Sequence, residues 1–305
     1  FSDWPQIMNV CFDNREADIG RFVRRHLAGL DLPELFTQFG IIDNTPKLPA
    51  VEKFLNDCYL RFEKSPRADN AIELGKGFFE VAFFIVSQDE RKDLKADENF
   101  LSSIMYANPS YSGWPLWLDS RGFENPRARP KTSSGGWEAL IEDYVGNFIL
   151  PHLDFWRIEP PGRFYHIRQL IDDLIATKNG TKQNQNLAMD LAIKLVAEAI
   201  SVAIFFAKSM GYPAESTTLD FVFRWRGLQN RQLTNYDFKR YISPGRFSGD
   251  DEIVSHISVP LDISLSSVPS IIPDAIERLF LAFSGVKFST QVIEEIAAEG
   301  LKSRY

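Results

Sequence analysis

The nine residues Phe78 to Val86, FFEVAFFIV, constrain the fold of this chain more than any other stretch. They carry one charge, Glu80, and are otherwise apolar and rich in β-formers. A strand with one solvated face alternates polar and apolar residues. This one does not, so it reads as a central strand buried on both faces.

Around it the chain mixes strand and helix signals. Residues 16–30 read as an amphipathic helix, with Ile19, Phe22, Val23, Leu27 and Leu30 on one face; a short helix is expected over 32–39. Val51 to Phe62 is a further amphipathic helix carrying Val51, Phe54, Leu55, Cys58 and Phe62. Residues 1–66 are therefore expected to form a helical N-terminal segment and 67–305 an α+β core domain. Phe155–Glu159 and Arg163–Gln169 fit a β-hairpin turned by Pro160-Pro161-Gly162, because Gly162 accepts the positive φ that such a turn requires. Leu187 to Met210 is strongly apolar, but Asp190, Lys194, Glu198 and Lys208 interrupt it. No uncharged run reaches the roughly 18 residues of a membrane span, so this is a buried core helix. Thr218 to Arg226 alternates cleanly, with Leu219, Phe221, Phe223 and Trp225 on one face. Glu252–Val259 is another strand. Helices are expected over 273–283 and 290–301, the second capped by Ser289. Strands and helices mix without βαβ regularity, which points to an α+β fold with a mainly antiparallel sheet and packed helices.

The charge is uneven. The chain carries −7 overall, yet Leu219 to Gly249 holds six Lys/Arg against two acids, a local +4. Aromatic residues interleave with these cations. Such a surface suits an anionic partner, with Trp225 or Tyr241 stacking a base and Arg224, Arg226 or Arg246 taking a phosphate. The long irregular stretch 108–136 carries Trp114 and Trp117, which must either pack on the body or line a site. The hairpin supplies Arg157, His166 and Arg168. Buried arginines need a carboxylate or a ligand anion, and Asp154, Asp172 and Asp173 are the carboxylates at hand. These ten residues are the candidate ligand-binding set.

Signatures of catalysis are missing: there is no P-loop, no GxSxG, no HExxH and no CxxC. The four histidines are scattered and form no metal pattern. No catalytic residue, metal or cofactor is therefore assigned. Asp172/Asp173 and Asp250/Asp251 are adjacent carboxylates of a kind common in loops. The two cysteines, Cys11 and Cys58, lie far apart, which favours a reducing, cytoplasmic setting. The chain opens at Phe1 without an initiator Met and reads as a piece of a longer protein.

Three groups of residues carry a family resemblance. They are Ser112-Gly113-Trp114-Pro115; Asp154-Phe155-Trp156-Arg157 with Gly162-Arg163-Phe164-Tyr165; and Phe223-Arg224-Trp225-Arg226-Gly227-Leu228 with Arg231-Gln232-Leu233. Over about residues 78–290 the chain resembles the uncharacterised C-terminal region of bacterial multidomain proteins that begin with a Schlafen-type, AlbA-like domain. That domain is not in this sequence. The resemblance implies a sensing or interaction module of an intracellular bacterial regulatory or defence protein, and it transfers no catalytic residues. The expected partner is a nucleic acid or anionic small molecule bound through the basic, aromatic surface. A nuclease-like or phosphoryl-transfer enzyme is the alternative, and so is a protein–protein interaction scaffold that uses the Phe and Trp excess, with the missing upstream domain among its partners.

Overall fold

The computed structural model describes residues 49–65 and 77–302, apart from 90, 92, 110, 112–114, 145–150, 161, 179–181, 183, 238 and 239. The helices expected over 16–30 and 32–39 lie outside the described residues.

The central strand forms as its composition requires. β1 (Phe78–Ser87) sends Phe79, Val81 and Phe83 to one side and Phe78, Ala82 and Phe84 to the other. It lies between β5 (Arg163–Gln169) and β7 (Thr217–Arg226) in a seven-stranded sheet that also contains β2 (Lys131–Ser133), β3 (Gly136–Tyr144), β4 (Pro151–Glu159) and β9 (Glu252–Pro260). The spatial order is β2-β3-β4-β5-β1-β7-β9, and every pairing is antiparallel. The β4–β5 hairpin turns as expected, with Gly162 at φ 105°. A small parallel pair joins β6 (Asn186–Ala188) to β8 (Gln232–Thr234).

Each face of the sheet has its own cover. α1 (Ala50–Glu63) buries Val51, Phe54, Leu55, Cys58 and Phe62 against Phe78, Phe155, Tyr165 and Val222. Its spacing of three and four residues puts this set on one stripe. Burial pushes the Cys58 thiol pKa up, so this cysteine is an inert core residue. The thicker layer on the other face is built on α4 (Met189–Ser209), the apolar helix, joined by α2 (Glu98–Tyr106), α5 (Ile272–Leu281) and α6 (Thr290–Gly300). α3 (Ile171–Lys178) follows directly after β5. Ser289 caps α6 by accepting the Val292 N–H, as its position predicts. Among the described residues no helix is long and apolar enough to cross a membrane.

One boundary differs from expectation. A compact unit spans 49–305, so the division drawn near 66 falls inside it. α1 belongs with the sheet because its apolar stripe packs on Phe78, Phe155, Tyr165 and Val222, and polar contacts fix it there. Asn56 accepts from Arg224 at 2.6 Å, Arg61 reaches Glu138 at 3.2 Å, and Glu52 meets His256 at 2.7 Å.

Candidate functional site

The arginines singled out in the sequence are held by the sheet itself. In an antiparallel pair, directly opposed side chains on one face touch. The register sets Glu138 opposite Arg157, Asp154 opposite Arg168, Glu80 opposite Arg224 and Glu252 opposite Arg226. All four couples are ion pairs. Arg157 Nη1 donates to Glu138 at 2.8 Å, and its Nε donates to Glu159 at 2.8 Å. Arg168 Nε donates to Asp154 at 2.8 Å, while its Nη2 donates to the Pro115 carbonyl at 2.7 Å and so ties the aromatic loop to the sheet. His166 Nε2 lies 3.3 Å from the same Asp154 oxygen, and all three side chains are buried. Arg157 is on the opposite face from His166 and Arg168, so the hairpin does not bring the three together.

Glu80 is the most heavily used of these acids. Arg224 binds it through two nitrogens at 2.9 and 2.6 Å, Tyr165 Oη donates at 2.8 Å, and Arg226 Nε lies 2.9 Å away. Burial, followed by the Glu80 charge, drives the Tyr165 hydroxyl pKa well above its ordinary value. The Arg226 guanidinium also lies 3.8 Å over the Tyr59 ring. Trp225 and Trp117 have no exposed surface and pack within the core, against Phe79 and Phe164 respectively. They offer no face to a ligand; the expectation for them is corrected by their place on the inward side of β7 and beneath the loop. Trp114 lies outside the described residues. Of the ten candidates, Tyr241 (84% exposed) and Arg246 stand out in solvent. The +4 of this segment is therefore no open basic patch. Arg224 and Arg226 are paired as above, Arg231 binds Asp173, and Arg240 binds Glu295.

Arg231 and Asp173 form a second buried hub. Both Nη atoms donate to the carboxylate, at 2.9 and 2.7 Å. Asp173 also accepts the N–H groups of Gly77 and Asn184. The neighbouring Asp172 accepts the Ala188 N–H at 2.7 Å, yet burial raises its pKa to about 6. These carboxylates cross-link α3, the start of β1 and the β6–β8 pair. Among the described residues no three of His, Cys, Asp and Glu converge as metal ligands would.

A cleft of about 670 Å³ opens beside α4. Leu191, Lys194, Leu195 and Glu198 of α4 form one wall, and Ile171 and Ile175 of α3 another. Tyr111, Tyr236 and Asp237 come from two loops, and Glu299, Gly300 and Lys302 from the end of α6. The helices approach closely there: a Cβ at position 300 would sit 2.7 Å from Lys194 Cγ. Asp190 is fully buried behind this wall; it accepts the Tyr236 N–H at 2.8 Å and has the Lys194 ammonium at 3.9 Å. Glu198 is 1% exposed and accepts the Tyr111 N–H at 3.4 Å. Burial, with the Glu198 charge added, raises the Tyr111 hydroxyl pKa. Of these residues the candidate set contained none. One signal for them stood in the sequence. Asp190, Lys194 and Glu198 recur every fourth residue along an apolar helix, which places them on one face.

No family model matches this chain, and no curated protein or solved structure is significantly similar to it.

Proposed function

We propose that this chain is a ligand-binding module of the sensing or interaction kind, as its resemblance to the C-terminal regions of Schlafen-type proteins implies, and that its ligand seat is the α4 cleft. The cleft carries the reading. Its volume falls in the range of small-molecule sites, and its lining combines an apolar wall with a few convergent charged and aromatic groups, as such sites do. The cytoplasm of a bacterium is the setting that goes with this proposal. A calorimetric and melting-temperature screen of small polar molecules tests it. Compounds that bind the parent are expected to lose binding in Ile175→Trp, which fills the cleft from α3, while that variant melts like the parent. Hits that bind both proteins equally would place the site elsewhere, and an empty screen would remove the reading.

A second reading rests on the exposure of Tyr241. With Arg246 and the half-exposed Tyr236 and Phe247, it presents an aromatic arm able to stack unpaired bases. In that reading a single-stranded nucleic acid contacts the arm alone, not the whole basic stretch.

A further inference from the structure

We infer that the free edge of β9 binds an extended, cationic protein segment by strand addition. The sheet ends on β9, which pairs with β7 on one side and, among the described residues, with no strand on the other. An open edge is a template for another chain, and native proteins commonly blunt such edges by shortness, Lys or Pro. β2, at the opposite end of the sheet, is three residues long and carries the exposed Lys131. β9 is nine residues long, has no Lys or Arg, and has proline only at its last position. Leu261 sets the direction of its hydrogen bonds, since the Leu261 N–H donates to the Thr217 carbonyl at 2.9 Å. Bonded and non-bonded residues alternate along an antiparallel ladder. Ile253, Ser255, Ile257 and Val259 therefore turn their backbone groups to β7, and Val254, His256 and Ser258 turn theirs outward. Among the described residues those outward groups have no hydrogen-bond partner.

A groove of about 550 Å³ lies beside the start of this edge, between Ile253 and Val254 of β9 and Arg278 and Leu281 of α5. It shares no lining residue with the α4 cleft. Leu281 is 37% exposed, and Ile253 and Val254 are partly exposed, so an added strand finds apolar surface to cover there. In strand addition the main-chain bonds supply affinity, and the pockets under alternate side chains supply preference. Charge makes the choice of partner. Residues 250–262 hold four acids, Asp250, Asp251, Glu252 and Asp262, and no Lys or Arg. Arg226 pairs with Glu252 at 3.1 Å and Arg278 borders the groove, which leaves the acids in excess. Asp250, Asp251 and Asp262 are exposed, and none of them forms an ion pair among the described residues. A second copy of β9 paired antiparallel about His256 would set Asp250 opposite Asp262 at both ends, acid against acid. A segment bearing Lys or Arg meets the same acids with attraction.

Three labelled eight-residue peptides form the test, titrated by fluorescence anisotropy at low salt. One alternates lysine and valine, one alternates glutamate and valine, and the third is the lysine–valine peptide N-methylated at every backbone amide. The first is expected to bind and the second is not. The methylated peptide keeps the charge and loses the donors that an added strand gives to β9, so it should bind about tenfold or more weakly. Val254→Pro deletes an outward N–H and no bond to β7, as proline on an edge strand can, and should weaken the lysine–valine peptide by a similar factor. Asp250→Lys combined with Asp251→Lys, both on the surface, should do the same and serves if Val254→Pro fails to fold. Failure of the lysine–valine peptide to bind would overturn the proposal, and so would equal binding of its methylated form or a preference for the glutamate peptide. A dimer in sedimentation velocity that Val254→Pro disperses would give the edge to a second copy of the chain and overturn the cationic partner.

Discussion

Glu80, Arg224 and Tyr165 are buried together, Glu80 accepting from both, while the partly exposed Arg226 closes on the carboxylate from the side. Removing one member of such a group strands a buried charge, which typically costs about 3–5 kcal/mol, whereas replacing both partners with apolar residues is often neutral. Arg224→Ala is therefore expected to lower unfolding free energy in urea by that amount. The pair Glu80→Leu with Arg224→Leu should lose less than the two single changes summed. A surface arginine waiting for a phosphate would show neither effect. Asp172 gives a pH-dependent counterpart. Its folded pKa of about 6 lies above the ordinary carboxylate value, so the folded chain holds a proton that the unfolded chain releases. This group's contribution to stability thus falls as pH rises from about 4 to about 6 and stays lost above that. Asp172→Asn should match the parent near pH 4 and exceed it by about 2–3 kcal/mol near pH 8. Parallel stability profiles for the two proteins would contradict the raised pKa of this partly buried carboxyl.

β1 is the element on which both cores depend. Phe83 has no exposed surface, and its ring lies 4.9 Å from Phe164, 5.5 Å from Phe221 and 5.9 Å from Phe206. Phe83→Asp places an unpaired charge among these rings at a cost of several kcal/mol, and soluble expression is expected to fail. Normal yield and melting would mean that β1 is not central. This strand was legible because composition alone specified it. α1, α4, β7 and the hairpin were legible for a related reason: each has a local period or a turn residue that fixes its geometry. By contrast, Glu80 and Arg224 lie 144 residues apart, and no local pattern reveals which strand becomes the neighbour of β1. β3 has no counterpart among the expected elements, although Trp137, Ala139 and Ile141 alternate inward just beyond the stretch 108–136. The cleft draws on α3, α4, α6 and two loops, so the spacing of Asp190, Lys194 and Glu198 was the one part of it that a linear reading could hold.

At the level of the molecule, charge that looks available in the sequence is mostly neutralised by folding. The segment 219–249 carries +4, yet Arg224, Arg226, Arg231 and Arg240 all face carboxylates. Each of these acids comes from a different part of the chain, and the net −7 supplies them in excess. A protein that offered all six cations to a nucleic acid would release about six counterions, and its binding would fall steeply with salt. Among the described residues of the segment, the folded molecule leaves Tyr241 and Arg246 in solvent. Any binding of labelled single-stranded DNA or RNA, measured by fluorescence anisotropy across a salt series, should therefore be weak and have a slope of about one or two phosphates. Tyr241→Ala with Arg246→Glu should abolish it, whereas Arg226→Glu should unsettle the fold before it changes binding. A slope near six would require the buried pairs on Glu80 and Asp173 to open on binding, and it would return the nucleic-acid reading to first place.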